Sequence, residues 1–229
     1  MKPIYEPKGA SKEYGDYAIN IYTGCPHKCF YCFAPRVLHK EKDKFYSVIE
    51  PRKNIIDETR KQIERDGTKG KLIHLCFTCD PYPTGYDTTP TREIIKLLKK
   101  SGNHVQILTK GDGTRDFDLL DNGDWYGVTL DGTANKHRRD NFSLIQDLYD
   151  AQANDIKTWV SFEPVVNAGV VMKYLRLVAP IIDKVKIGKL NYHPSNIDWA
   201  VFGRIIENSC RQLNVDYYIK DSLRKEMNK

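Results

Sequence analysis

Tyr17-Ala18-Ile19-Asn20-Ile21-Tyr22-Thr23-Gly24-Cys25-Pro26-His27-Lys28-Cys29-Phe30-Tyr31-Cys32 joins a short apolar run to three cysteines inside eight residues. The run Tyr17–Tyr22 reads as a buried strand, and Gly24-Cys25-Pro26 turns the chain out of it. Three thiolates at C-x3-C-x2-C spacing converge on one metal centre from a single loop. Thiolates are soft ligands that suit zinc and iron–sulfur clusters. Structural zinc takes four protein ligands, commonly two separated C-x2-C pairs. Three cysteines on a four-iron, four-sulfur cube leave one iron without a protein ligand, and an open iron can chelate a cofactor or substrate.

Beyond this stretch, short apolar runs alternate with helical patterns to the end of the chain. Strands are expected at Leu72–Thr78, Val105–Thr109, Trp125–Leu130, Thr158–Phe162 and Val185–Leu190, with a weaker seventh at Asp216–Ile219. Helices are expected at Asn54–Arg65, Thr91–Lys100, Asn141–Ala153, Ala168–Val178 and Ile197–Leu213. Strand alternating with helix makes this an α/β chain of βαβ units. The expected fold is a single-domain partial (βα)6 TIM-like barrel of parallel strands, spanning 1–229 with a cysteine loop at 23–33 and no auxiliary domain. Phe33–Pro51, crowded with Lys40, Glu41, Lys42, Asp43 and Lys44, reads as a solvated surface loop. Lys110–Asp124, rich in Gly and Asp, reads as a loop or very short helix at the carboxyl end of a strand, where functional residues concentrate.

The chain has 229 residues, 40% hydrophobic and 29% charged, and at that length buries roughly 70% of its unfolded surface without disulfide staples. No apolar run approaches the ~20 residues of a membrane span, and Met1–Asp16 lacks the apolar core of a signal peptide, so the expected setting is cytoplasmic with no membrane partner. The net charge of +6 is compatible with a polyanionic partner and equally with an ordinary small enzyme. Besides the triplet, Cys76 and Cys79 form a second pair and Cys210 stands alone. In a cytosolic chain such clustering reads as metal or redox chemistry before disulfides. His74 lies within a strand and Cys210 on a helix, and both read as core residues.

The triplet, with Tyr31 immediately before its third cysteine, resembles the cluster-binding loop of the radical S-adenosylmethionine (SAM) superfamily. Thr78-Cys79-Asp80-Pro81-Tyr82-Pro83 and Leu108-Thr109-Lys110 resemble the spore photoproduct lyase-related branch. Phe162-Glu163-Pro164-Val165 is similar to phage-associated members. The resemblance implies a [4Fe-4S] cluster on Cys25, Cys29 and Cys32, with its open iron chelated by SAM. It also implies an external electron donor such as flavodoxin or ferredoxin, and reductive cleavage of SAM to a 5′-deoxyadenosyl radical that abstracts hydrogen from a substrate.

The same resemblance implies roles around a SAM pocket. Tyr31 is implied to touch the cofactor, and Thr78, Cys79 and Asp80 lie where relatives hold the SAM amino group, although Asp80 also reads as the cap of a Pro-Tyr-Pro turn. Lys110 matches a lysine facing the SAM carboxylate. Thr129 and Asp131 match a Ser-x-Asn pattern that reaches the ribose, with Asp departing from Asn. Glu163, a carboxylate among apolar neighbours at a strand end, reads as a site residue, and Asn191 and Tyr192 as weaker ones. His137, Arg138 and Arg139 read as a solvated helix start or a grip on an anionic substrate. Photoproduct lyases carry a hydrogen-donating cysteine just before their Thr-Ser-Asp, whereas here that position is Phe77. Cys76 and Cys79 are then the weak catalytic candidates, and strand alternation sends them to opposite faces. The substrate stays open between a nucleic acid or nucleotide and a small metabolite or peptide. A zinc- or cluster-bearing interaction module is the non-enzymatic alternative.

Overall fold

The computed structural model describes residues 2–229. Eight strands form one sheet in sequence order: β1 (Ile4–Tyr5), β2 (Tyr17–Ile19), β3 (Leu72–Leu75), β4 (His104–Thr109), β5 (Trp125–Thr129), β6 (Lys157–Val165), β7 (Lys184–Lys189) and β8 (Asp216–Ile219). Strands β2 to β8 are mutually parallel, and β1 pairs antiparallel with β2. Eight helices follow in chain order: α1 (Ala34–Val37), α2 (Lys42–Ser47), α3 (Ile55–Asp66), α4 (Thr89–Lys100), α5 (Asn141–Ala153), α6 (Ala168–Val178), α7 (Trp199–Gln212) and α8 (Asp221–Met227). The expected partial barrel is therefore extended at both ends. The weak seventh strand is a full member, with Lys184 to Ile187 of β7 in register with Asp216 to Ile219. The short β1 carries too few residues for a period to be read.

Period-two alternation divides the strands between two environments. Ile73, Leu75, Val105, Ile107, Tyr126, Val128, Val160, Val185 and Ile187 are completely buried in the apolar core shared with α4, α5 and α6. The alternate positions His74, Gln106, Trp159, Ser161 and Lys186 converge on Tyr14. The Tyr14 ring lies 5.7 Å from that of His74 and 6.0 Å from that of Trp159, with the Lys186 ammonium 4.6 Å from its centroid. Its carbonyl accepts from Gln106 Nε2 at 2.9 Å and Lys186 Nζ at 3.3 Å. The N-terminal segment, a 3-10 turn at Gly9–Glu13 followed by Tyr14, thus plugs the barrel from inside.

Phe33–Pro51 is not a solvated loop. It forms α1 and α2, buries Phe45 and Ile49, and clamps the cysteine loop. Its charges lie on the solvent side, while two apolar residues spaced among them anchor it. Lys110–Asp124 does contain a short 3-10 helix, at Thr114–Leu119. Among the described residues no helix is long and apolar enough to cross a membrane.

Candidate active site

A cavity of about 440 Å³ opens at the carboxyl ends of the strands. One wall is Cys25, Cys29, Tyr31 and Cys32. The others bring Cys76, Thr78, Cys79 and Asp80 from beyond β3, Lys110 from beyond β4, and Thr129 and Glu163 from the ends of β5 and β6. Asn191, Tyr192 and Lys220 follow β7 and β8. Parallel strands all point their carboxyl ends one way, so residues as far apart as Cys25 and Lys220 share this space.

The cysteine loop is fixed by its backbone. Thr23 N donates to Glu50 O at 2.9 Å and Cys25 N to Phe45 O at 3.1 Å. A Cβ on Gly24 would sit 2.4 and 2.5 Å from the carbonyl oxygens of Phe45 and Val48, so only glycine allows the approach. His27, between the first two cysteines, is buried. Its Nε2 accepts from Thr84 N at 3.2 Å, which leaves the ring proton on Nδ1, 3.3 Å from Asp80 Oδ2. Asn135 Nδ2 donates to His27 O at 2.7 Å and Tyr46 Oη to Cys29 O at 3.3 Å.

The donor set fits an iron–sulfur cube better than a single zinc ion. A tetrahedral zinc with Zn–S of about 2.3 Å holds its sulfurs about 3.8 Å apart. The three loop sulfurs do not all lie within 4.8 Å of one another; among the described residues only His104, Asp121 and Asp124 bring three such ligand atoms that close. A cube spreads its thiolates over separate irons. Burial pushes the Cys25 thiol well up, with Asp80 adding to the effect, and burial likewise raises Cys32. Such crowded, buried sulfurs become thiolates only with a cationic partner.

Asp80 is already engaged by the protein. Its Oδ1 accepts from Tyr82 N at 2.9 Å and Thr109 Oγ1 at 2.5 Å. Its Oδ2 accepts from Lys110 N at 2.9 Å and faces His27. Three protein hydrogen bonds thus reach this carboxylate, and the one from Tyr82 N is the turn cap expected of Asp80. Asp131 is likewise taken up: Arg138 donates bidentately at 2.7 and 2.8 Å, Thr133 N and Oγ1 donate at 2.9 and 2.8 Å, and the Tyr31 hydroxyl donates to Oδ2. Burial alone would raise the Asp131 pKa; Arg138 and Tyr31 outweigh it and hold the carboxyl at about 2. Arg138 is accordingly neither a solvated helix start nor a substrate grip. It is 6% exposed and locks the cysteine loop, through Tyr31, to the β5–α5 connection.

Other expected residues keep groups open to the cavity. Lys110 Nζ has no carboxylate within 4 Å among the described residues, and the Thr129 hydroxyl has no protein partner. Thr78 Oγ1 accepts from Arg52 at 3.4 Å. Glu163 Oε2 accepts from Lys220 Nζ at 2.8 Å and from the Tyr14 hydroxyl. His74 is buried as expected; burial, then Lys186, lowers its pKa to about 3, so it is a neutral lumen residue. Cys210 is fully buried core. Tyr14 and Lys220 carry site contacts that sequence reasoning left out.

The family model of the radical SAM superfamily matches residues 19–154. An uncharacterized protein of Methanocaldococcus jannaschii is 29% identical over 172 residues, covering 69% of this chain and 64% of its own length. One from Mycobacterium tuberculosis is 33% identical over 103 residues, 42% of this chain and 29% of its own, and one from the Acidianus two-tailed virus is 32% identical over 129 residues, 50% and 41%. The matches thus span less than two thirds of these relatives. Among solved structures, a spore photoproduct lyase variant superposes with a TM-score of 0.73 at 11% identity, covering 94% of this chain and 79% of the other. SuiB of Streptococcus suis, bound to S-adenosylmethionine, superposes at 0.64 and 11%, covering 88% and 49%. The fold is shared with both. With the matched model running from β2 through α5 and the three-cysteine loop inside it, the chain belongs to the radical SAM superfamily.

Proposed function

We propose that residues 1–229 form one radical SAM core domain, cytoplasmic in setting, whose substrate is a nucleic acid or nucleotide. Cys25, Cys29 and Cys32 hold a [4Fe-4S] cluster, and SAM occupies the adjoining cavity. When bound and reduced by a flavodoxin- or ferredoxin-class donor, the cluster supplies the electron that splits SAM. Lys110 offers a point charge to the SAM carboxylate, and the Thr129 hydroxyl offers a hydrogen bond. Glu163, fixed by Lys220 and Tyr14, presents a carboxylate oriented from beneath. Asp80 and Asp131 position the cysteine loop and touch no ligand.

The observation that carries the substrate class is the rim of the cavity. Phe33 and Tyr192, which line it, are 44 and 82% exposed, Phe30 beside the Tyr31 ring is 53% exposed, and the Arg36 guanidinium lies 4.4 Å from the Tyr192 ring centroid. Exposed rings beside a cation form a stacking platform for unpaired bases, with a charge for the phosphates. A cavity of about 440 Å³ suits one small ligand. With SAM in place, a larger substrate presents only its reacting group at this rim. A structural neighbour, spore photoproduct lyase, is described in complex with a dinucleoside photoproduct (TM-score 0.63, 14% identity, 92% of this chain and 65% of that one).

The test is fluorescence anisotropy of labelled single-stranded DNA and RNA with reconstituted, SAM-loaded protein across a salt series. Binding should weaken linearly in log–log form with salt, and Tyr192→Ala should lose about tenfold, as one stacked base is worth about 1–3 kcal/mol. SAM cleavage with no nucleic-acid binding at low salt would reject this substrate class and favour a metabolite or peptide.

A further inference from the structure

Cys76-Phe77-Thr78-Cys79 is a second cysteine motif, and the cluster loop leaves it unused. Sequence alternation separates the two thiols; the fold brings them together. Strand β3 stops at Leu75, and Cys76 adopts φ +69°, a left-handed conformation rare for a side-chain-bearing residue. Asn20 holds the turn open in this shape, its Oδ1 accepting from Phe77 N at 2.8 Å and Thr78 N at 2.9 Å. Cys76 N donates to Ile19 O at 2.8 Å. As a result both thiols are free, both line the cavity, and both turn to the same short backbone stretch after β2.

Two consecutive backbone amides cradle the pair. Ile21 N donates to Cys76 Sγ at 3.5 Å and Tyr22 N to Cys79 Sγ at 3.4 Å. The sulfurs are not equivalent. Burial raises Cys76 well above the usual thiol range, and the neighbouring Cys79 adds to the effect. Burial also works against a thiolate at Cys79, but the Cys76 S–H, the Tyr22 amide and the Arg52 charge outweigh it and bring that thiol down. A nucleophilic sulfur beside a protonated one is the division of labour of a dithiol redox motif.

We propose that Cys76 and Cys79 form a two-electron redox centre, a reversible dithiol–disulfide pair beside the cluster cavity that exchanges with small thiols and disulfides. Cys79 thiolate attacks one sulfur of a small disulfide, forming a mixed disulfide and releasing one thiolate. Cys76 then loses its proton and displaces the second thiolate, closing the Cys76–Cys79 bond. The protein dithiol is oxidised by two electrons, and the incoming disulfide is reduced to two thiols. Because Thr78 and Asp80 belong to the same short segment, the oxidation state of the pair is felt at the cavity wall.

The test uses the anaerobically reconstituted holoenzyme in cystamine/cysteamine buffers, quenched in acid, alkylated with N-ethylmaleimide and digested with trypsin. Leu72–Arg92 is a single tryptic peptide whose only cysteines are these two. Under excess cystamine it should lose two hydrogens and take no label, then recover both labels under excess cysteamine, with iron content unchanged. In Cys76→Ser, Cys79 should accumulate a mixed disulfide about tenfold faster than Cys76 does in Cys79→Ser. Two labels on the peptide at every ratio would overturn the proposal. So would a disulfide that forms only in step with loss of iron, or equal rates in the two variants.

Discussion

Replacing Asp80 by alanine separates a positioning carboxylate from one that binds SAM. In the fold this carboxylate accepts from Tyr82 N, Lys110 N and Thr109 Oγ1 and faces the His27 ring. Alanine orphans two buried amides, whereas the Thr109 hydroxyl is free to reorient. An orphaned buried donor costs about 1–3 kcal/mol, so after partial relaxation the loss should be about 3 kcal/mol. For a domain of this length each kcal/mol lowers Tm by about 2–4 °C, giving a drop of about 6–12 °C. Calorimetry of the metal-free protein measures it directly. Because His27 sits between Cys25 and Cys29, the variant should also take up less iron on reconstitution. An unchanged Tm and full iron content, together with lost SAM affinity, would refute this reasoning and return Asp80 to the cofactor.

Lys110→Ala should weaken SAM binding about tenfold while leaving iron content intact, since its Nζ faces the cavity without a protein carboxylate; equilibrium dialysis with labelled SAM reads the first and metal analysis the second. Asp131, held at about 2 in the fold, contributes about 2 kcal/mol that is fully present above its unfolded value near 4 and lost as pH falls from about 4 to about 2. Urea midpoints at pH 7 and pH 3 should therefore differ more for wild type than for Asp131→Asn, and equal differences would contradict the buried pair. The reconstituted protein should fail to repair spore photoproduct in DNA, because Phe77 stands where the lyases carry their donor thiol; repair to thymines, followed by chromatography, would overturn that.

Elements with a local signature were legible. The α5 and α6 bounds follow from Asp140 and Asn167, whose side chains accept from Ser143 N and Val170 N at the first turn. The cavity-lining residues were legible because parallel strands put their carboxyl ends together. Long-range partners were not. Tyr14 lies in a polar segment without periodicity, and its hydroxyl partners Ser161 and Glu163 are 147 and 149 residues away. Arg138 looks like a solvated charge until Asp131 and Tyr31, the latter 100 residues from Asp131, close over it. Cys76 broke the alternation rule because the strand stopped one residue earlier, where Asn20 takes over the backbone donors.

The proposed function stands on the Cys25, Cys29 and Cys32 loop carrying an open-site cluster that acts on SAM. Anaerobic reconstitution, metal analysis and incubation with dithionite and SAM test it in one preparation. The expected result is about four irons per chain and formation of 5′-deoxyadenosine and methionine, with both abolished by Cys25→Ala, Cys29→Ala or Cys32→Ala and retained in Cys210→Ala. Stoichiometric zinc with no iron, or a full cluster that leaves SAM intact under reduction, would contradict it.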